Sequence, residues 1–191
     1  FSQLPYTRPN TADFLTDCTA LLARLQAADS AEAQAEVVLQ WDALRKGWST
    51  QKCIAEVHYQ LDTVTDSPRQ EQEFFDQASP DVQEAEVAFL KALTTSPHRP
   101  ALEEKLGQQA FALWDCTLTT FLPEIADDQR EEAALRNRYN ELTAAVRVEV
   151  DGTTHTLSTI RALFGHADRA VRARACAATD AAMQEKSAEL D

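Results

Sequence analysis

Glycine stands at only four of 191 positions, Gly47, Gly107, Gly152 and Gly165, while alanine fills 32. Glycine makes tight turns and lets a backbone cradle phosphate, whereas alanine is the strongest helix former. The imbalance predicts a mostly α chain and argues against glycine-cradled nucleotide folds, β-sandwiches and β-barrels. A chain of this length can bury a real core without a disulfide or metal.

Charge narrows the partners. Thirty-one acids face 18 bases, a formal −13 at pH 7. Nucleic acids and anionic membranes are held by Lys and Arg neutralising phosphates, so neither is expected as a partner. No stretch approaches the roughly 20 apolar residues of a membrane span, and the start does not resemble a signal peptide. Cys18, Cys53, Cys116 and Cys176 are scattered among apolar helical positions. That scatter predicts reduced, buried thiols in a cytoplasmic protein rather than a disulfide framework or a zinc knuckle.

The expected organisation is an antiparallel helical bundle with one small hairpin. Residues 1–10, with Pro5 and Pro9, read as an extended arm, and 11–145 as helical. Phe14, Leu15, Cys18, Leu21, Leu22 and Leu25 form a one-sided stripe behind a cap at Asn10 or Thr11. Asp29 and Glu32 suggest a capping box before Val37, Trp41, Leu44 and Trp48, with Gly47 loosening the helix before it resumes at Thr50. Ser67, Pro68 and Gln70 suggest a further start with proline at the first helical position. Ser79 and Pro80 mark either a kink or a new helix. One helix is expected from about Pro100 to near Pro123, and another from about Asp127 to Ala145.

The hairpin is expected over about 146–157. Val146, Val148 and Val150 alternate with Arg147 and Glu149, and Asp151 and Gly152 supply a type I′ turn. Helices fill 158–191, with Gly165 as a C′ residue and Asp168 capping a last helix that meets no stop before Asp191. The absence of an initiator methionine and that unstopped helix suggest a piece of a longer protein, with self-association expected where a domain seam is exposed.

Chemistry is sparse. His58, His98, His155 and His166 each lack a histidine four residues away, so no HExxH helix is present. His58 and Asp62 are too few to hold a metal. There is no GxSxG elbow, P-loop or dinucleotide fingerprint. The adjacent acids Glu103 and Glu104, and Glu131 and Glu132, read as solvated helix faces, and Trp41, Trp48 and Trp114 as core. Among Arg161, Arg169, Arg172 and Arg174, the pair Arg169 and Arg172 lies three apart on one helical face. It could hold a carboxylate or make an interdomain contact, the alternative being a structural ion pair.

The order of several pieces resembles the N-terminal domain of the oligoendopeptidase F family, within the M3 (thimet-type) zinc metallopeptidases. The pieces are Tyr6, Arg8 and Pro9; Asp62, Asp66 and Glu71; and Ser96, Pro97 and Arg99 running into Leu102, Glu103, Gly107 and Phe111. Glu132, Leu135, Tyr139 and Leu142 follow, then Val150, Gly152, Thr156 and Leu157, then Asp168, Arg169, Arg172, Glu189, Leu190 and Asp191. The chain departs from the family in having Ser67 and Pro68 where an aromatic often precedes the glutamate. The resemblance implies no catalytic residue and no metal ligand in this chain. Zinc, its HExxH helix and a general base would belong to a C-terminal catalytic domain that is the expected partner. This helical part would form one wall of a channel for peptide substrates, acting as a size filter or lid. A self-contained helical protein-interaction domain without enzymatic activity is the alternative.

Overall fold

The computed structural model describes residues 4–190. Phe1, Ser2 and Gln3 of the expected arm, and Asp191 of the expected last helix, lie outside the described residues. The chain divides into two compact units, Phe1–Glu131 and Glu132–Asp191.

In the first unit, helix α1 (Thr11–Ala27) starts where the Asn10 side chain accepts from the amides of Ala12 and Asp13, satisfying two donors that the first turn leaves open. Helix α2 (Ala31–Leu61) is capped by Ser30, whose hydroxyl accepts from Ala33 N. This corrects the expected Asp29–Glu32 box. Gly47 does not interrupt α2. A mid-helix glycine costs about 1 kcal/mol, and the buried stripe of Trp41, Trp48, Ala55 and Tyr59 running past it outweighs that cost.

Helix α3 (Asp66–Thr94) follows a turn built on Asp62, whose carboxylate accepts from the amides of Val64 and Thr65 and from the Thr65 hydroxyl. Pro68 falls at the third position of the first turn, two steps later than expected, where an N–H would lack an intrahelical partner anyway. Pro80 lies inside an unbroken α3. Phe75, Ala78 and Val82, all buried, hold the helix through it, and Ser79 donates to Phe75 O at 2.6 Å in the disturbed turn. The single helix expected from Pro100 splits into α4 (Arg99–Leu106) and α5 (Gln108–Thr120) at Gly107, whose φ of +94° breaks the helical path. A short 3-10 turn (Pro123–Ile125) leads into α6 (Ala126–Ala145), which crosses the boundary between the units.

Two apolar clusters hold this unit. One joins Leu25, Trp41, Phe89, Leu93, Leu102 and Phe111; the other joins Phe14, Cys18, Trp48, Ala55, Phe75 and Val82. Trp41 and Phe89 stack with centroids 4.6 Å apart and planes 7° from parallel. Trp41 and Trp48 are core, as expected, and Trp114 is partly buried against the edge of Phe111. Of the cysteines only Cys18 is buried, and burial pushes its thiol up to about 11. Cys53, Cys116 and Cys176 are exposed, contrary to expectation. Cys53 shows why: it sits two residues from buried Ala55, roughly 200° around the helix.

In the second unit, β1 (Val148–Val150) and β2 (Thr153–His155) pair antiparallel, Val148 opposite His155 and Val150 opposite Thr153. Asp151 and Gly152 have φ of 53° and 80°, the two positive angles of a type I′ turn. Two strands alone are marginal in water. Val146, Val148 and Val150 therefore pack on Ile160 and Ala175, beside α7 (Arg161–Phe164) and α8 (Arg169–Gln184). Gly165 closes α7 at φ −95°, an ordinary angle, so it is not the left-handed C′ residue expected. The last helix is also not continuous. It stops at Gln184, where Lys186 N bonds Met183 O in a tightened final turn, and α9 (Ser187–Leu190) follows.

Gly152→Val places a β-branched side chain at φ 80° and should destabilise the hairpin unit by about 1 to 3 kcal/mol. Thermal melting followed by hydrogen exchange at β1 checks it, and unchanged protection contradicts the turn assignment.

Candidate functional site

The extended arm is held by one acid. Glu71, on the first turns of α3, accepts from the Tyr6 hydroxyl and from Arg8 Nε at 2.8 Å and Nη2 at 2.7 Å. The Arg8 guanidinium lies 4.9 Å from the centre of the Phe74 ring, and Tyr6 meets His58 edge-on. Thr7 N adds a bond to Gln51 Oε1 at 2.8 Å, so the arm is tied to both α2 and α3. Arg8, through its hydrogen bonds, holds the Glu71 carboxyl below its ordinary value, and burial together with Glu71 pushes the Tyr6 phenol up.

Because the Glu71 value is lowered on folding, its stabilisation is complete above the ordinary glutamate range and is lost as pH falls through the lowered value. Arg8 is half exposed, so the clasp is worth about 1 kcal/mol. Glu71→Gln should cost that much at neutral pH, accelerate exchange of the Thr7 amide, and flatten the acid limb of the stability profile. An unchanged acid limb contradicts the clasp.

A second junction gathers around Arg99 at the start of α4. Its guanidinium bonds Asp115 at 2.7 Å, Glu103 at 2.7 Å and the Thr94 carbonyl at 3.3 Å, and lies 5.2 Å from the centre of the Phe111 ring. This fastens the end of α3 to α4 and α5. Glu103 is thus an ion-pair partner and not merely a solvated acid. Residue spacing alone did not indicate Asp115, because nothing local marks a partner 16 residues away.

The structure gives the two members of the sequence-predicted pair, Arg169 and Arg172, different surroundings. Arg172 donates to the carbonyls of His166 and Ala167, at 2.6 and 3.0 Å, closing the loop before α8. Arg169 is exposed at the first position of α8. Asp151 instead pairs with Arg174, at 3.1 and 2.8 Å, which ties the hairpin turn to α8 and lowers the Asp151 carboxyl. Gly152 serves the turn alone. In the same unit Leu135, Tyr139 and Leu142 of α6 line a groove of about 540 Å³ with Leu190. Leu135 and Tyr139 are 61% and 55% exposed, which makes this an apolar face without cover among the described residues of its unit.

Among the described residues no three His, Cys, Asp or Glu side chains converge to hold a metal. The donors present therefore do not fit a zinc ion. No described helix is long and apolar enough to cross a membrane.

The family model of the peptidase M3 N-terminal domain matches residues 1–121. The chain is similar throughout to a solved protein from Bacillus anthracis str. Ames assigned as an oligoendopeptidase F, with 30% identity and a TM-score of 0.94, covering 100% of this chain and 35% of that one. PZ peptidase A, solved with an inhibitor, is 32% identical with a TM-score of 0.93 over 98% of this chain and 34% of its own. A second structure assigned as oligoendopeptidase F is 30% identical with a TM-score of 0.93, over 98% of this chain and 33% of its own. No curated protein matches. The chain spans about a third of the length of the solved structures it matches. A family model over most of the chain and relatives that match its whole course lead to one assignment: this chain belongs to the peptidase M3 family, as an N-terminal domain.

Proposed function

We propose that this chain is the non-catalytic N-terminal domain of a zinc-dependent oligoendopeptidase, in which it forms one wall of a channel for short unfolded peptides. The observation that carries the reading is the match of the whole chain to about a third of an oligoendopeptidase F chain. Its own catalytic domain is the principal partner, and the cytoplasm the proposed location. Zinc bound there would polarise the scissile carbonyl and activate water. The residues of this chain contribute shape. The clasp on Glu71 and the Arg99 junction fix α2 to α5 as a rigid body, while the exposed apolar face of α6 is suited to contact with the catalytic part.

The coding sequence downstream of Asp191 tests this. An HExxH motif within the next few hundred residues is the expected result. A stop codon close to Asp191 overturns the reading in favour of a self-contained interaction domain.

A further inference from the structure

A polar groove of about 330 Å³ runs between α2 and α3 in the first unit, lined by Arg45, Trp48, Lys52, Ser79, Val82 and Glu86. Trp48 and Val82 are core residues and give it an apolar floor. At one end Arg45, lying 4.5 Å from the Trp41 ring centre, donates Nε to Glu86 Oε1 at 2.9 Å. At the other end the Lys52 ammonium donates to Ser79 Oγ at 2.9 Å. Ser79 commits its own proton to Phe75 O, so it meets Lys52 with a neutral oxygen only.

Lys52 lacks the carboxylate that most part-buried bases hold, and Arg172, which lacks one too, spends its donors on two backbone carbonyls. The part-buried bases Arg45, Arg99 and Arg130 each hold a carboxylate. Lys52, also part-buried, forms no ion pair among the described residues, in a chain of formal charge −13. An ammonium has three donors, of which Ser79 takes one. Two N–H groups and an uncompensated charge are left beside a preformed groove. At the opposite end Glu86 gives one oxygen to Arg45 and keeps the other as an acceptor.

We infer that this groove binds a small ligand carrying a carboxylate at one end and an N–H donor at the other, the carboxylate on Lys52, the body over Trp48 and Val82, and the N–H at Glu86. A phosphate dianion suits it less, because its second charge would face Glu86. The α-carboxylate end of a short peptide, with its backbone N–H groups, meets both requirements, whereas a simple carboxylic acid meets only the first. The inference rests on the groove alone and not on the peptidase reading.

The test titrates the 191-residue chain with N-acetyl-alanyl-alanine, its C-terminal amide, acetate and inorganic phosphate, by calorimetry and by the amide shifts of Lys52 and Ser79. The peptide acid should bind saturably, and the amide should bind about tenfold more weakly, as expected for loss of one charged hydrogen bond. Lys52→Met and Lys52→Gln should show the same loss with unchanged melting. Weaker acetate binding supports a peptide terminus, and acetate binding as tight as the peptide acid overturns the inference, because acetate carries no N–H donor for Glu86. Equal binding of acid and amide, phosphate binding as tight as the acid, or no saturable binding of the acid overturns the inference. The acid and amide comparison on the unaltered chain decides even if both variants fold poorly.

Discussion

Phe89→Ala should lower the stability of the first unit by about 3 to 5 kcal/mol, the range for emptying an aromatic site in a close-packed core. Phe89 is fully buried, and its ring lies flat against Trp41, itself 1% exposed. The same cluster takes in Leu25 of α1, Leu93 of α3, Leu102 of α4 and Phe111 of α5. Loss of the ring therefore leaves a cavity bordered by several helices, and long helices tied by capped turns have little freedom to collapse into it. Arg45, packed on the other surroundings of Trp41, loses a rigid platform as well. Phe89→Leu keeps most of the volume and should cost less than half as much. Urea unfolding monitored at the tryptophans measures both. A wild-type midpoint for Phe89→Ala contradicts the assignment of this cluster as the centre of the unit.

Gln34→Leu is the second large effect, about 2 to 4 kcal/mol, although it replaces a polar residue with an apolar one of similar size. Gln34 is 5% exposed. Its Nε2 donates to Leu25 O at 3.1 Å, one of the carbonyls that the end of α1 leaves open, and its Oε1 accepts from the Ser96 hydroxyl at 2.6 Å. Ser96 Oγ in turn accepts from His98 N at 3.1 Å. One side chain thus joins the end of α1, the start of α2 and the turn after α3. Leucine fills the space but orphans a buried carbonyl and a buried hydroxyl. Gln34→Glu separates the causes. An ionised carboxylate cannot donate to Leu25 O and carries a buried charge, whereas the protonated acid can donate, so this variant should be less damaging in acid than at neutral pH. A Gln34→Leu protein as stable as wild type contradicts the role given to this bridge.

The helices and the hairpin were legible because they are written in local patterns. The Phe14, Cys18, Leu21 and Leu25 stripe, the Asn10 cap and the Asp151–Gly152 turn each depend on neighbours a few residues away. The breaks were less legible, because a break is settled by a competition between local strain and distant packing. Gly47 and Pro80 look like interruptions, yet buried faces carry the helices through both; Gly107, on a short and weakly buried segment, does break the path. The ion pairs and bridges were hidden for the same reason. Glu71 meets Arg8 from 63 residues away, and Ser96 meets Gln34 from 62. Arg169 and Arg172 were joined by spacing, but the loop before α8 claims Arg172 and leaves Arg169 outside. The motif residues of the family resemblance fall at several of these long-range contacts, which is why their order pointed to the fold while their spacing did not explain it.

Under the proposed function, this chain is part of a zinc oligoendopeptidase and does none of its chemistry. The most direct measurement assays the 191-residue chain and the product of its complete coding sequence side by side, for zinc content and for turnover of an internally quenched peptide. The account predicts stoichiometric zinc and turnover in the complete protein, and neither in the 191-residue chain. Zinc-dependent turnover by the 191-residue chain alone, surviving controls for contaminating peptidases, would contradict it.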